Sequence, residues 1–525
     1  MTNFKAGDVS GSQVLVDATT GTSDHLYADF FNELRQSRGP TAVVGTTEQC
    51  EYYCDGDKDE VQIQAAIDSL GTTGGTVHIK AGTYIVENLT TLSNGQLTFI
   101  GVPYGVIIEG EGSSTIIKVK DGAIAAGTGT RAVFWIGKTG STDDFTFRDL
   151  VIDGNGIGQD FTTAPQQNFH GGIFGLSGAG STHQMLRTLV LDNVTMKNFV
   201  MSDTGTYKNG MPLNTYGMLF VQISNCTLEN NDYGYFLTAF YPSISPNHYV
   251  LNNIIIKNPQ RAGIALEGIS STALNNIIIY SDTQNSARGV EIWTASGISG
   301  TTVMQLSFSN MIFEKIGQAI DLGQGGANQY SIKNSAFTNL SAYDCKGGFW
   351  FKNVDSSSSF SNINTYDCAQ GGIPGETNYA SIRIGPAGTG AVVDYIVLDN
   401  IHIVDSGAHG IKCEFLTYVN GGAIVNSTSG VTDSATYLRA KNVVGYVTEN
   451  SGTGSITAAV TSDIITHGLS YTPVLADISV TLGENPTNTP GAIWVDTIGA
   501  TYFTVNCENV PGASNLDFSW SVRKV

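Results

Sequence analysis

The 525-residue chain carries a formal net charge of −20, with 14% charged residues, 62 glycines and 10% aromatics. Few charges and many glycines exclude a solvated helix bundle or a disordered chain, and suit close-packed strands and turns. The acidic balance argues against nucleic acid as a partner, because phosphate binding rests on Lys and Arg.

The first twenty residues hold no basic flank followed by an apolar run, so synthesis without a signal peptide is expected, with a virion or extracellular destination reached by another route. No stretch approaches the ~18 apolar residues of a membrane span, and no membrane insertion is expected. The seven cysteines are scattered, which favours free thiols and leaves a local Cys50–Cys54 pair as the alternative. Spacing for a zinc site is missing, and no metal or other cofactor is expected.

In chain order, the first predicted element is a helix over 24–38. Ser23 or Asp24 can cap it, Leu26, Phe30 and Leu34 share a face, and Gly39-Pro40 stops it. The segment LYADFFNELRQSRG resembles a short helix near the N-terminus of many phage tail-fibre proteins. A second helix follows Asp57, with Ile63, Ala66, Ile67 and Leu70 as its apolar stripe and Asp57 or Asp59 as its cap. Asp55, Asp57, Asp59 and Glu60 read as capping and dipole-matching acids, not as a metal site. Val77 and Ile79 then alternate as in a strand. Asp57 through Tyr84, with GEGSSTIIKV at 110–119, resembles the entry region of the pectate-lyase-like superfamily, which implies a right-handed parallel β-helix. The fold class is therefore all-β: an N-terminal helical cap, the β-helix and a C-terminal β-sandwich.

The solenoid repeat is an apolar-x-Asn motif at Asn193, Asn225, Asn253, Asn276, Asn310, Asn339, Asn362 and Asn400, spaced 23 to 38 residues apart. Such a column reads as a ladder of stacked amides, one per coil. Asn334 competes with Asn339 for one rung, and Asn339 is preferred because NLSAYDC and NINTYDC then align. That alignment places Cys345 and Cys368 in equivalent slots as stacked thiols.

After each asparagine comes a strand with a small residue at its start, as in GYFLT, GIALE, GVEIW, AIDLG, GFWFK, SIRIG and GIKCE. Alternation turns the second and fourth side chains after that start outward. One face then collects Glu267, Glu291, Trp293, Asp321, Trp350, Lys352, Arg383, Lys412 and Glu414. Paired carboxylates on adjacent coils can serve as acid and base in glycosidic cleavage, aromatic rings stack on pyranoses, and cations meet acidic sugars. The expected catalytic residues are Glu291 and Asp321, with Glu267 one coil away. Trp293, Trp350, Lys352 and Arg383 are the expected substrate-binding residues. Asp153, Asp160, Glu229 and Asp232 form a reserve set. The ordered motifs of polygalacturonases are missing, and Ala-His-Gly at His409 is only a fragment of them.

From 451 the asparagine repeat gives way to short alternating strands, with Trp494, Phe503, Val505, Phe518 and Trp520 as the expected small core. THGLSYTP, WVDTIGATYFTVNC and FSWSV resemble lectin-like or trimerisation sandwiches that close phage fibres. The expected units are 1–50 for attachment and capping, 51–450 for the β-helix and 451–525 for the sandwich. The resemblances imply a homotrimeric virion tailspike or tail-fibre protein that binds, and in one version depolymerises, host surface polysaccharide. A free polysaccharide lyase or hydrolase and a non-catalytic adhesive spike stay open beside it.

Overall fold

The computed structural model describes residues 39–525 and two short strands, Leu15–Val16 and Ser23–Asp24, apart from segments 93–96, 104, 125–129, 138–143, 160–169, 177–185, 201–209, 217, 239–247, 268, 270, 294–301, 325–329, 353, 355, 370–379, 386–394, 408, 414–415, 426–430, 433–437, 484–486 and 524–525. The helix expected beyond Asp24 and the outward Glu414 lie outside the described residues. Ser23 and Asp24 pair antiparallel with Val16 and Leu15.

Helix Asp59–Ser69 buries Ile63, Ala66 and Ile67, and Leu70 beyond it, in the main core. Its N-terminus departs from expectation. Lys58, at φ 54°, is the N-cap, and no side-chain cap bond is made there among the described residues. Asp59 instead accepts hydrogen bonds from Gly56 N at 3.0 Å and Ile85 N at 2.7 Å, and Glu60 accepts from the amides of Glu87 and Asn88. These carboxylates satisfy buried amides of the neighbouring strand Gly82–Val86 and the chain leaving it, so they tie the helix to the strand stack.

From Thr41 to Val444 the strands pair almost wholly in parallel, forming a 19-stranded and a 13-stranded sheet among the described residues. These long parallel sheets fit a right-handed β-helix. One coil shows the construction. Strand His248–Lys257 buries Tyr249 and Leu251, passes through Asn253 at φ 57°, and then buries Ile254 and Ile256. The left-handed residue shifts the alternation by one place, so both halves of the bent strand face the same interior. A second left-handed corner at Asn258 leads to strand Ala262–Glu267.

The asparagine ladder is present. All eight residues have φ between 53° and 57°. Amide hydrogen bonds run from Asn253 to Asn225 at 2.7 Å, Asn276 to Asn253 at 3.1 Å, Asn339 to Asn310 at 2.9 Å, Asn362 to Asn339 at 2.9 Å and Asn400 to Asn362 at 2.7 Å. Asn225 reaches Asp192 and Asn310 reaches Asn275, so two rungs use the preceding residue. Asparagine suits the corner twice, since it tolerates left-handed backbone and its amide both donates and accepts.

A column of small residues sets the entry to the third face. A Cβ added at Gly234 would lie 2.0 Å from Gly263 O, and one at Gly289 would lie 2.4 Å from Ala319 O. The interior is one continuous apolar cluster from Ala42 to Tyr446. Phe337 and Phe360 stack in it at 4.8 Å on successive coils. Cys345 and Cys368 are buried free thiols, as are the other five cysteines, Cys50 and Cys54 included.

Residues Glu449–Arg523 form two three-stranded antiparallel sheets, Glu449–Ile456 with Leu516–Arg523 and Ile478–Leu482, and Ser462–Thr466 with Tyr502–Cys507 and Ile493–Asp496. Phe503, Val505, Phe518 and Trp520 are buried in their shared cluster, against which Ile493 and Val495 pack. Trp494 is not in it and is 45% exposed. It lies between two inward residues on a four-residue strand, so alternation turns it out.

Candidate functional site

The 13-stranded sheet supplies the site through strict alternation. Val290, Ile292, Ile320, Leu322, Phe349 and Phe351 enter the core. Between them Glu291, Asp321 and Trp350 form one outward row that continues in register to Arg383 and Lys412. In the other direction the row runs through Ala265 and Phe236 into a second buried apolar cluster with Trp135, Phe174, Met211 and Tyr233. The row is not the solvated face that alternation implied. Glu291 is 0% and Asp321 2% exposed, Lys352 and Lys412 are buried, and Trp350, Arg383 and Glu267 are half-buried. Side chains on strands about 4.8 Å apart cover one another's flanks, and long ones do so most.

Arg288 organises the carboxylates. Its Nε donates to Asp321 Oδ2 at 3.1 Å and its Nη1 to Glu291 Oε2 at 3.4 Å, so one guanidinium joins acids on two successive coils. Asp321 Oδ1 is buried and accepts no hydrogen bond among the described residues. One step along, two cations lie over the Trp350 indole, with Lys352 Nζ 3.1 Å and Arg383 Cζ 4.0 Å from the ring centroid. On the opposite flank the Arg261 guanidinium lies 4.9 Å from the Tyr233 ring centroid. Burial pushes the Tyr233 phenol well above its usual range, partly opposed by Arg261 and reinforced by Glu291.

The two predicted carboxylates are thus brought together, paired residue to residue. Glu267 is on the neighbouring coil but in a different row, opposite Trp293, while Ala265 stands directly beside Glu291. A register shift between Ile292 and Trp293 pairs Trp293 with Gln324. Of the reserve acids, Asp153 accepts from Asn155 N and Asn198 Nδ2, Glu229 pairs with Lys257, and Asp232 accepts from Gly210 N. Asp160 lies outside the described residues.

Arg288 escaped the sequence reading for a definite reason. Strict alternation counted back from Glu291 sends Arg288 inward. Here the tight position Gly289 packs against Phe313 and Val290 also enters the core, so two successive residues face in and Arg288 returns to the outer side. The available signal was the Arg-Gly pair itself, a long cation directly before a position too crowded for a side chain.

No family model matches the chain, and no curated protein sequence matches it. Solved structures do. A mutant tailspike protein of E. coli bacteriophage HK620 superposes with a TM-score of 0.51 at 13% identity, covering 98% of this chain and 97% of that one. The chain shares the parallel β-helix fold of that tailspike. A second mutant of the same tailspike, in complex with a pentasaccharide, gives a TM-score of 0.50 at 13% identity over 89% of this chain and 90% of its own. A mannuronan C-5 epimerase module of Azotobacter vinelandii gives 0.41 at 16% identity, covering 74% and 94%. At these identities the likeness concerns the fold.

Proposed function

We propose that this chain is a tailspike-like protein of a virion that binds and hydrolyses a host surface polysaccharide, with Glu291 and Asp321 as the reacting carboxylates. The observation that carries the reading is the Arg288-bridged pair on adjacent coils, flanked by Trp350, Lys352 and Arg383. Acid and base roles need two carboxyl groups a few ångströms apart, which neighbouring strands supply. Asp321 Oδ1 accepts no hydrogen bond among the described residues, which leaves it as the oxygen to exchange a proton with substrate. Lys352, Arg383 and Lys412 favour an acidic sugar beside the cleavage point. Glu267 and Trp293, paired in register on neighbouring strands, are further sugar contacts in this reading. The pentasaccharide complex of the structurally similar tailspike supports a glycan ligand on this fold.

In this reading residues 1–50 attach and cap, 51–450 form the solenoid, and 451–525 form a closing β-sandwich. Helix Asp59–Ser69 covers the open first coil, and the assembled particle is a homotrimer. The decisive experiment is Glu291→Gln and Asp321→Asn, assayed for reducing ends on a panel of capsular and wall glycans. Each is expected to lower cleavage by about 10²- to 10⁴-fold, with some loss of thermal stability because Arg288 loses a buried partner. Undiminished cleavage in both variants would remove these residues from the mechanism.

A second reading has its own observation, the full burial of Glu291. As a purely structural ion triad, Arg288, Glu291 and Asp321 would only clamp two coils of an adhesive spike. Wild type would then bind glycan without releasing reducing ends, and neutralising either acid would change stability alone.

A further inference from the structure

The sheet made of Ser462–Thr466, Tyr502–Cys507 and Ile493–Asp496 has an outer face that lies apart from the Glu291–Asp321 row in the topology. In register, Trp494 stands beside Asn506, Asp496 beside Thr504, and Ile464 beside Thr504 from the other side. Trp494 is 45% exposed, and Tyr502 and Ile464 are exposed with it. The indole adds nothing to the core yet is held in place: its Nε1 donates to Asp496 Oδ2 at 3.3 Å, and Thr497 Oγ1 donates to Asp496 Oδ1 at 3.0 Å. Thr497 adopts φ 46°, a left-handed backbone that a β-branched residue takes only under strain. A strained residue orients a carboxylate that in turn orients an exposed aromatic ring.

We propose that this face binds a neutral sugar residue, with Trp494 as the stacking surface and Asp496 as an acceptor for its hydroxyls. A pyranose offers a flat C–H face to a ring whose only donor is already engaged, and hydroxyl donors at its edge to a fixed carboxylate. The three strands contain no lysine or arginine, so an acidic sugar would meet Asp496 without a counter-charge. This preference is the reverse of the cation-rich row at Lys352, Arg383 and Lys412. A second copy of the chain fits less well, because a closed protein interface would bury Asp496, Thr504 and Asn506 against apolar neighbours.

The test titrates the full-length chain in a Glu291→Gln background, which prevents consumption of ligand. Probes are neutral gluco-, galacto- and manno-oligosaccharides, with oligogalacturonate as the acidic counterpart, followed by calorimetry and indole fluorescence. Binding of at least one neutral probe is expected, weakened about tenfold or more by Trp494→Ala and by Asp496→Asn, with an unchanged light-scattering mass. Trp494→Phe, which keeps a ring, is expected to retain most of the binding, and Asp496→Asn carries the test for loss if the alanine variant fails to fold. The proposal falls if no neutral probe binds, if Trp494→Ala and Asp496→Asn bind like their parent, or if Trp494→Ala lowers the mass, which would make the face a contact between copies. Loss of cleavage at Glu291 and Asp321 leaves these outcomes untouched, so the two proposals fail separately.

Discussion

Among single residues, His170 carries the clearest pH signature. Its Nε2 donates to Gly154 O at 2.8 Å and its ring packs 5.1 Å from Phe199. Burial, with Arg131 adding to it, pushes the imidazole down to about 4, against the backbone hydrogen bond that favours the charged form. The unfolded chain then binds the proton more readily, so stability is complete above about pH 6.5 and falls as pH drops towards 4, with no further loss below. The displacement corresponds to roughly 3 kcal/mol. Thermal unfolding of wild type and His170→Gln between pH 7.5 and 4 is expected to show the difference between them shrinking across that window; a constant difference would discount the titration. The same scale explains what pattern reading finds and misses at the site. Glu291, Asp321 and Trp350 were visible because they interrupt apolar alternation. Arg288 was not, because its direction depends on two successive inward residues at Gly289 and Val290.

At the scale of the element, seven of the eight asparagine corners are followed by a second left-handed corner, and only the first has a uniform residue. The second follows five positions later, at Asn198, Asn230, Asn258, Lys315, Asp344, Asp367 and Asp405. Each of these corner amides donates to a carbonyl of the next coil, as Asn230 N does to Lys257 O and Asp344 N to Tyr366 O. Side-chain bonds such as Asn258 Nδ2 to Asn230 Oδ1 join some of these corners, but backbone pairing serves all seven, so their residues vary and motif searching passes over them. The ladder itself is exposed along most of its length, which limits what one rung contributes. Asn310→Leu removes the bonds to Asn275 and Asn339 and puts a bulky residue at φ 55°. About 1 to 2 kcal/mol of destabilisation is expected, mostly from the backbone. Asn310→Gly loses the same amide bonds but keeps the conformation available and should cost less; equal costs for glycine and leucine would show that the amide bonds dominate.

Across the whole molecule, one surface column bears on assembly. Thr195, Thr227, Ile255, Ile278, Ile312, Ser341, Asn364, His402, Ala423 and Val444 follow one another in register without a Lys, Arg, Asp or Glu. Ile255, Ile278 and Ile312 are exposed, and Tyr343 and Tyr366 stack beside them at 5.1 Å. Identical solenoids packed about a common axis bring like rungs together, where a repeated charge would repel itself. The proposed trimer therefore places this column towards its axis. Light scattering is expected to return three times 55.6 kDa for wild type and a smaller species for Ile278→Asp with Ile312→Asp; a wild-type monomer would end the proposal. Sequence by itself determined the solenoid, its asparagine corners and the side on which Glu291 and Asp321 emerge, because backbone conformation and alternation are local properties that repeat from coil to coil. Tertiary structure alone decided that Arg288 joins the two acids, that Lys352 and Arg383 lie over Trp350, and that the row is buried. The links from Arg288 to Asp321 and from Arg383 to Trp350 span 33 positions each, so stacking of the coils sets their distances, and it also decides which way Arg288 turns.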